Sequence, residues 1–275
     1  MAQETISKIT RAVQAQIDIP GDKSISHRSI IFGSIANGLT EVSNFLTGED
    51  CICTMNAFRA LGVEIDFNKE AKTVKIQGKG FAGLKAPRHP AKRSLASDVD
   101  TQEVGTMQSM CSANEGEQNS HEKHTNEDIY LGNSGTGMRL LAGLFAGLPF
   151  STTLTGDESL SGRPMARVID PLTKMGAVIE SQPGGKAPLV IKPSLGLKAI
   201  SHESKIASAQ VKSSILLAGL NAQGTTIVTE PEKSRDHTER MMQGFGVDLE
   251  VNGLEVSLKP GQELSGQVIE IPGDI

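Results

Sequence analysis

The sequence predicts an α/β (α+β) fold of three βαβαββ-like units that surround buried helices. Two observations predict it: the same order of helix-like and strand-like segments recurs three times, and many of the 29 glycines fall at corresponding points between them. Such repetition is typical of domains built from equivalent units, each of which buries its apolar face against its neighbours. A chain of 275 residues is long enough to form that shared core.

The first unit opens with a helix predicted over 24–35, where a small-residue turn precedes an apolar run. After a glycine turn and a strand, a second helix carries Met55, Phe58 and Leu61 at positions i, i+3 and i+6. This spacing places the three side chains on one buried face. Gly62 ends the helix, because glycine adopts the left-handed conformation that closes a last turn.

The second and third units repeat this order. The predicted segments are a helix from 135, a strand at 152–155, a helix at about 164–175 and a strand at 177–180, then a helix from 207 to 217, a strand at 225–228, a helix around 241 and a strand at 247–250. Gly176 and Gly246 end the second helices of these units, as Gly62 does in the first.

Residues 88–128 interrupt the repeat. They are rich in Ser, Asn, Glu, Gln and His and poor in large apolar residues, so burial cannot offset the entropy of ordering them. We expect a disordered insert here, in which Cys111, His121 and His124 are solvated rather than bound to a metal.

The sequence Ile-Pro-Gly-Asp occurs at 19–22 and again at 271–274, each time after a short β-rich run. Pro-Gly after a strand predicts a turn, so we expect two strands to enter and leave the domain side by side. The chain then divides into a strand and hinge at 1–20, a ligand-binding lobe at 21–271 and a second hinge at 272–275, where a further lobe is expected to be cut off.

Composition excludes several classes of partner. The net charge of −5 and an aromatic content of 3% argue against nucleic acid, which is bound by cationic and stacking side chains. No apolar run approaches the roughly 20 residues that span a bilayer, and the first residues lack the apolar core of a signal peptide. Cys51, Cys53 and Cys111 have no paired spacing typical of disulfides or zinc sites. A cytoplasmic protein with reduced thiols, no metal and no membrane partner is predicted.

Four clusters place cations where the helices of the units begin. They lie at 22–28, at 132–139, at 160–165, and at 207–214 together with 233–239. A helix N-terminus attracts anions through its free N–H groups and its dipole. Lysine adds a point charge, and arginine adds a bidentate fork for carboxylate or phosphate.

Small residues in the second cluster let a ligand approach the backbone closely. Its glycines match neither a GxGxxG dinucleotide site nor a P-loop. A domain of equivalent units would bring Lys23, Arg28, Arg163 and Arg235 together at neighbouring helix starts. The sequence therefore predicts a site for a multiply anionic ligand.

Several long motifs resemble one enzyme family. Residues 20–28 (PGDKSISHR) and 132–139 (GNSGTGMR) resemble the first two signature motifs of 5-enolpyruvylshikimate-3-phosphate synthases. Residues 208–213 (SAQVKS) and 234–239 (SRDHTE) resemble the third-unit motifs, particularly those of the bacterial subgroup called class II. The similarity covers essentially the whole chain apart from the insert.

The resemblance implies that an enolpyruvyl group passes from phosphoenolpyruvate to the 5-hydroxyl of shikimate 3-phosphate, in aromatic amino-acid biosynthesis and without a cofactor. It implies two lobes of three βαβαββ units each that close on the substrates. The second lobe would supply the acidic proton-transfer groups, a lysine and further arginines. This chain alone is therefore expected to be inactive, and a separately encoded C-terminal lobe is a candidate partner.

Residue roles follow from the resemblance by position. Lys23 would contact both substrates and act in catalysis. For shikimate 3-phosphate the other implied residues are Ser24, Arg28, Ser208, Ala209, Gln210, Ser234 and Arg235. For phosphoenolpyruvate they are Asn133, Gly135, Thr136, Arg163 and Gln210. Two positions depart from the family pattern: Ala209 stands where many members have serine, and His237 where others have a tyrosine that contacts the shikimate ring.

Two alternatives remain open from the sequence. The enolpyruvyl transferases that act on UDP-N-acetylglucosamine typically have Lys-Asn where this chain has Lys23 and Ser24, and a loop cysteine that Cys111 matches poorly. The other alternative is a non-catalytic binding module of the same fold. The early end is equally compatible with a partial gene, a split enzyme or a degenerate paralogue.

Overall fold

A computed structural model of the protein describes residues 19–87 and 128–274. The helices are α1 Lys23–Ile35, α2 Glu49–Ala60, α3 Gly135–Phe145, α4 Glu158–Ser161, α5 Ala166–Lys174, α6 Ala209–Gly219 and α7 His237–Gly244, with a 3₁₀ turn at Phe81–Gly83. The strands are β1 Asn37–Ser43, β2 Glu64–Asn68, β3 Thr73–Lys79, β4 Asp128–Tyr130, β5 Thr152–Thr155, β6 Val178–Gln182, β7 Lys186–Lys192, β8 Leu197–Lys198, β9 Ser201–Glu203, β10 Ala222–Gln223, β11 Thr226–Thr229, β12 Leu249–Asn252, β13 Glu255–Leu258 and β14 Val268–Glu270.

Three four-stranded sheets share one topology. Their strand orders are β14-β1-β3-β2, β4-β5-β7-β6 and β9-β11-β13-β12. In each sheet the first strand pairs in parallel with the second, and the remaining pairings are antiparallel. The second and third sheets take all their strands from one βαβαββ unit, whereas β14, from the far end of the described chain, completes the first. The predicted three-unit α/β fold is confirmed.

The helices that open the three units, α1, α3 and α6, form the centre of the domain. Almost every position of α1 and α6 is buried, including small polar residues, as expected for helices surrounded by protein on all sides. Gly143 of α3 lies against the backbone of α6: a Cβ added there would lie 2.1 Å from the Ser214 carbonyl oxygen. The two helices can pack this closely only because position 143 has no side chain.

The two Ile-Pro-Gly-Asp turns lie side by side, as the sequence predicted. Gly21 and Gly273 form an antiparallel bridge, and the Asp22 N–H donates to the Pro272 carbonyl at 2.9 Å. The Asp274 N–H donates to the Pro20 carbonyl at 3.0 Å. This double connection fixes the residue before α1 and therefore the direction in which that helix starts.

Details of the second unit differ from the prediction. Its second helix was expected from about Pro164, but α5 begins at Ala166 and the short α4 precedes it. Met165 precedes the helix as its N-cap residue, with φ of −112° and ψ of 3°, and its N–H donates to the Gly185 carbonyl at 2.8 Å. The predicted left-handed glycines are confirmed, with φ of 85° at Gly62, 96° at Gly176 and 92° at Gly246.

The insert predicted at 88–128 lies outside the described residues, apart from Asp128, which begins β4. Cys111, His121 and His124 fall in the same undescribed range. Cys51 and Cys53 are buried thiols. Across ranges 19–87 and 128–274, no helix has both the length and the apolar character that a membrane span requires.

Candidate functional site

The starts of α1, α2 and α3 meet around a buried histidine. Within the first turns of α1, His27 is fully buried, and its Nδ1 lies 2.8 Å from the Thr54 Oγ1 of α2. Its Nε2 lies 3.3 Å from the Oγ of Ser134, the residue that caps α3. Burial lowers the pKa of His27 to about 4, so the ring is neutral near pH 7 and accepts from one hydroxyl while donating to the other.

Arg28 connects α1 to α6 and α7. Its Nε donates to the Thr238 Oγ1 at 2.7 Å, and one Nη donates to the Ser213 Oγ at 2.9 Å. The other Nη donates to the Ser24 carbonyl at 2.9 Å. Burial lowers the pKa of Arg28 to about 10, partly countered by the charge of Glu239, so the guanidinium stays protonated.

Gln210, in the first turn of α6, closes the connection back to α3. Its Oε1 accepts from the Arg139 guanidinium at 3.1 Å, and its Nε2 donates to the Thr136 Oγ1 at 2.9 Å. Side-chain hydrogen bonds thus join α1 to α3, α3 to α6 and α6 to α1. The three helix starts form one connected group, as the repeat predicted.

Lys23 and Ser24 lie at the exposed start of α1. Asp22 caps this helix by accepting from the Ile25 N–H at 2.6 Å. The Lys23 ammonium forms an ion pair with Asp50 of α2, and half of its side chain remains exposed. A partly exposed pair of this kind is weak, so an anionic ligand can compete for the ammonium.

Arginines surround Gly135 at the start of α3. A Cβ added to Gly135 would lie 2.8 Å from an Arg139 Nη and 3.0 Å from an Arg163 Nη, so both guanidinium groups reach this point. Burial lowers the pKa of Arg139, and the charges of Arg163 and Arg167 lower it further. Mutually repelling cations beside a helix N-terminus favour the binding of an anion.

Asn133 positions the second of these arginines. Its Oδ1 and carbonyl both accept from the Arg163 guanidinium, the latter at 3.4 Å. The Asn133 Nδ2 donates to Asp157 at 2.7 Å, and that aspartate also caps α4. The Gly135 N–H donates to the Asn133 carbonyl at 3.0 Å, so Gly135 contributes space here and its own N–H is already bonded.

The third-unit residues surround a buried carboxylate, Glu230. Its Oε1 accepts from the Ser208 N–H at 2.9 Å, and its Oε2 accepts from the Ser234 hydroxyl at 2.7 Å. Ala209 is the first residue of α6. Arg235 is exposed, and its charge lowers the pKa of Arg28. His237, expected in place of a ligand-contacting tyrosine, begins α7 and is half-buried.

The predicted residues therefore form two groups joined by Gln210. The first group is Lys23, Ser24, Arg28, Ser208, Ala209, Ser234 and Arg235. The second group is Asn133, Gly135, Thr136 and Arg163. Arg28 is 3% exposed, and three of its five N–H donors bond to protein, which leaves two for a ligand.

Sequence reasoning missed five residues that hold these groups in place: Asp50, Arg139, Lys212, Glu230 and Glu239. Arg139 was part of a recognised motif, four residues after Gly135, and that spacing on a helix could have identified it. Lys212 and Glu239 also stand in the motifs at 208–213 and 234–239, but they, Asp50 and Glu230 belong to separate elements, and no local spacing connects the four. Within the described ranges, no group of three or more His, Cys, Asp or Glu side chains is arranged to hold a metal ion.

Comparison with known proteins identifies one family. The family model described as EPSP synthase (3-phosphoshikimate 1-carboxyvinyltransferase) matches residues 7–97 and 98–275. The 3-phosphoshikimate 1-carboxyvinyltransferase of Alkalilimnicola ehrlichii is 47% identical over 264 residues, which is 96% of this chain and 50% of the relative. That of Nitrosococcus oceani is 45% identical over 278 residues, which is 100% of this chain and 54% of the relative.

The fold matches solved structures as well. The EPSP synthase of Acinetobacter baumannii superposes with a TM-score of 0.78 at 44% identity, covering 94% of this chain and 49% of that one. The chain spans about half the length of the curated relatives it matches. It belongs to the EPSP synthase (3-phosphoshikimate 1-carboxyvinyltransferase) family.

Proposed function

We propose that this member of the EPSP synthase family forms the half of an active site that binds shikimate 3-phosphate and part of phosphoenolpyruvate, for transfer of the enolpyruvyl group to the 5-hydroxyl. The observation that carries the proposal is the pair of cationic groups joined by Gln210 at adjoining helix starts. Two anionic substrates that react with each other require two such groups in contact.

In this proposal the first group binds shikimate 3-phosphate. Lys23, Ser24 and Arg235 are at least partly exposed and supply charge and hydroxyl donors to the ligand. Arg28 offers its two remaining N–H donors to the ligand, and its bonds to α6 and α7 hold that side of the site together. Three further residues complete this group: Ser208 and Ala209 at the start of α6, and Ser234 in the segment before α7.

The second group binds phosphoenolpyruvate beside Gly135. The forked guanidinium of Arg163, held by Asn133, suits a carboxylate or phosphate. Thr136 and Gln210 lie between the two ligands. In the reaction the methylene carbon of phosphoenolpyruvate gains a proton, and the 5-hydroxyl oxygen loses its own proton and bonds to the adjacent carbon. Phosphate then leaves with its electron pair while the new methyl group loses a proton, which restores the double bond. Lys23 and the arginines would stabilise the negative charge that grows during these steps.

We also propose that 21–271 form one lobe and that 1–20 and 272–275 connect it to a second. The paired turns at Gly21 and Gly273 support this division, since two connecting strands have to cross side by side. The second lobe would supply the proton-transfer groups. A polypeptide of residues 1–275 would then bind shikimate 3-phosphate without converting it to product. We propose that the protein acts in the cytoplasm.

Calorimetry on the 275-residue polypeptide tests the proposal. Shikimate 3-phosphate should bind and UDP-N-acetylglucosamine should not. Lys23→Met should weaken binding about tenfold, a loss typical of a charged hydrogen bond. Lys79→Met is the matched control, because Lys79 forms an exposed pair with Glu64 on the first sheet.

Three outcomes would contradict the proposal. The first is binding of the UDP-sugar in preference to shikimate 3-phosphate, which would favour the other enolpyruvyl transferases. The second is binding of neither, which would favour a non-catalytic module. The third is phosphate release from the two substrates by the isolated polypeptide, which would place the proton-transfer groups within residues 1–275.

A further inference from the structure

We propose that Glu230 positions Ser208 and Ser234 for shikimate 3-phosphate, and that Lys212 and Glu239 hold Glu230 in place. The inference rests on the proposed function for its ligand. Glu230 is 4% exposed and uses both carboxylate oxygens, one for the Ser208 N–H at 2.9 Å and one for the Ser234 hydroxyl at 2.7 Å. It therefore fixes the start of α6 relative to the segment that precedes α7.

Lys212 joins this carboxylate to a second one. Its ammonium lies 2.7 Å from the Glu230 Oε2 and 2.6 Å from the Glu239 Oε1, and all three side chains are at most 4% exposed. Burial opposes the charged forms, yet the hydrogen bonds raise the pKa of Lys212 and lower the pKa of Glu230. Lys212 and Glu230 are therefore ionised at neutral pH, and the Lys212 ammonium lies between two carboxyl groups.

Arg28 completes the charge balance. Glu239 raises the pKa of Arg28 against the effect of burial, so their charges interact. Arg28 and Lys212 are buried cations, and Glu230 and Glu239 are buried anions. Together the four carry no net charge. Desolvating four ions opposes folding, and well-packed apolar residues would often be at least as stable. A role in holding ligand-binding groups gives such a cluster a purpose that stability alone does not.

The bonds leave the serine hydroxyl groups suited to a ligand. Ser208 caps α6 through its backbone and makes no side-chain capping bond, so capping does not occupy its hydroxyl. The Ser234 hydroxyl donates its hydrogen to the Glu230 Oε2 at 2.7 Å, which leaves the lone pairs of its oxygen to accept a hydrogen bond. On binding, a hydroxyl of the ligand can donate to that oxygen while Glu230 keeps its contacts with Ser234 and Lys212.

Glu230→Gln tests the proposal with almost no change in shape. The carboxylate faces three donors, from Ser208, Ser234 and Lys212, whereas an amide offers one oxygen and one NH2 group. Either orientation of the amide turns its NH2 towards a donor and leaves that donor unsatisfied. We expect shikimate 3-phosphate to bind the variant about tenfold or more weakly. Glu64→Gln is the control, because Glu64 is an exposed residue of β2.

A double-mutant cycle separates positioning from general destabilisation. If Glu230 acts through Ser234, the affinity losses of Glu230→Gln and Ser234→Ala are not independent, and the double variant binds little more weakly than the weaker-binding single variant. For the control pair, Glu64→Gln and Ser234→Ala, the two fold-losses in affinity should instead multiply in the double variant. Multiplying losses in the Glu230 cycle would overturn the proposal. Glu230→Asp serves if the glutamine variant fails to fold: it keeps the charge, and we expect it to lose affinity because its shorter side chain cannot reach both serines.

Amide NMR supplies a readout that needs no ligand. Glu230→Gln should shift the Ser208 amide proton and speed its exchange with solvent, whereas Glu64→Gln should leave it unchanged. An unaltered Ser208 amide would overturn the positioning role even if shikimate 3-phosphate binds. If the unaltered polypeptide binds no shikimate 3-phosphate, the proposed function fails, and the Ser208 signal alone decides whether Glu230 holds this part of the site.

Discussion

The close approach of α3 and α6 at Gly143 gives a quantitative prediction. In Gly143→Ala, the new methyl group of α3 would lie 2.1 Å from the Ser214 carbonyl oxygen of α6 and 2.6 Å from the Ser214 Oγ. The first distance is about 1.3 Å less than the 3.4 Å at which ordinary contact begins. A side chain could rotate away from the methyl group, but a helix carbonyl cannot, so α3 and α6 have to separate.

The expected cost follows from two opposing effects. Overpacking of a core costs about 1–3 kcal/mol, and a backbone contact lies at the upper end of that range. Alanine gains about 1 kcal/mol over glycine through helix propensity. We therefore expect Gly143→Ala to lower the free energy of unfolding by about 2 kcal/mol. The separation would also stretch the 3.1 Å bond between Arg139 and Gln210 and weaken ligand binding at the junction.

Urea unfolding followed by far-ultraviolet circular dichroism measures this loss, since the protein has no tryptophan for fluorescence. The midpoint should fall by roughly 1 M with an unchanged slope. Gly244→Ala is the matched control: it lies in α7, a Cβ there meets nothing within 4 Å, and the change should be neutral or stabilising. The reasoning is refuted if Gly143→Ala stays within about 0.5 kcal/mol of the original protein, or falls no further than the control.

Two further predictions concern buried titratable groups. Burial lowers the pKa of His27 to about 4. Below about pH 6.5 the histidine of the unfolded chain binds a proton, whereas that of the folded chain stays neutral. The free energy of unfolding should therefore fall by about 3 kcal/mol between pH 6.5 and 4. His27→Asn should remove this loss and His202→Asn should keep most of it; equal profiles would contradict the assignment. Burial raises the pKa of Cys51 to about 12, so in a Cys111→Ser variant Cys51 and Cys53 should react with a disulfide reagent at pH 8 only after urea is added. Rapid labelling of the folded protein would contradict the buried placement.

The order of elements could be predicted from the sequence because it is encoded locally. Glycines that require positive φ, such as Gly62 and Gly176, mark the helix ends, and apolar spacing marks the helices between them. The repetition of this order then implied that equivalent helix starts meet. The start of α5 was placed two residues early, because proline suits a first helical turn while the conformation of Met165, which caps α5, is not encoded in a local pattern.

The buried charges could not be predicted for a physical reason. Lys212, Glu230 and Glu239 belong to three separate segments, and each alone is indistinguishable from a solvated surface charge. The same holds for Arg28, because no local pattern indicates that it is buried and bonds to Ser213 and Thr238. Which charged residues are buried depends on how the units pack against each other, and periodicity does not carry that information.

A crystal structure of the 275-residue polypeptide with shikimate 3-phosphate tests the central claim most directly. The claim is that the joined starts of α1, α3 and α6 form one site for the anionic substrates. We expect the ligand against the first group, with its oxygens about 2.7–3.2 Å from the Lys23 ammonium and the Ser234 hydroxyl, and Gln210 between it and the arginines at Gly135. A ligand bound away from these helix starts, or bound at the arginines with Lys23 and Ser234 untouched, would contradict the account.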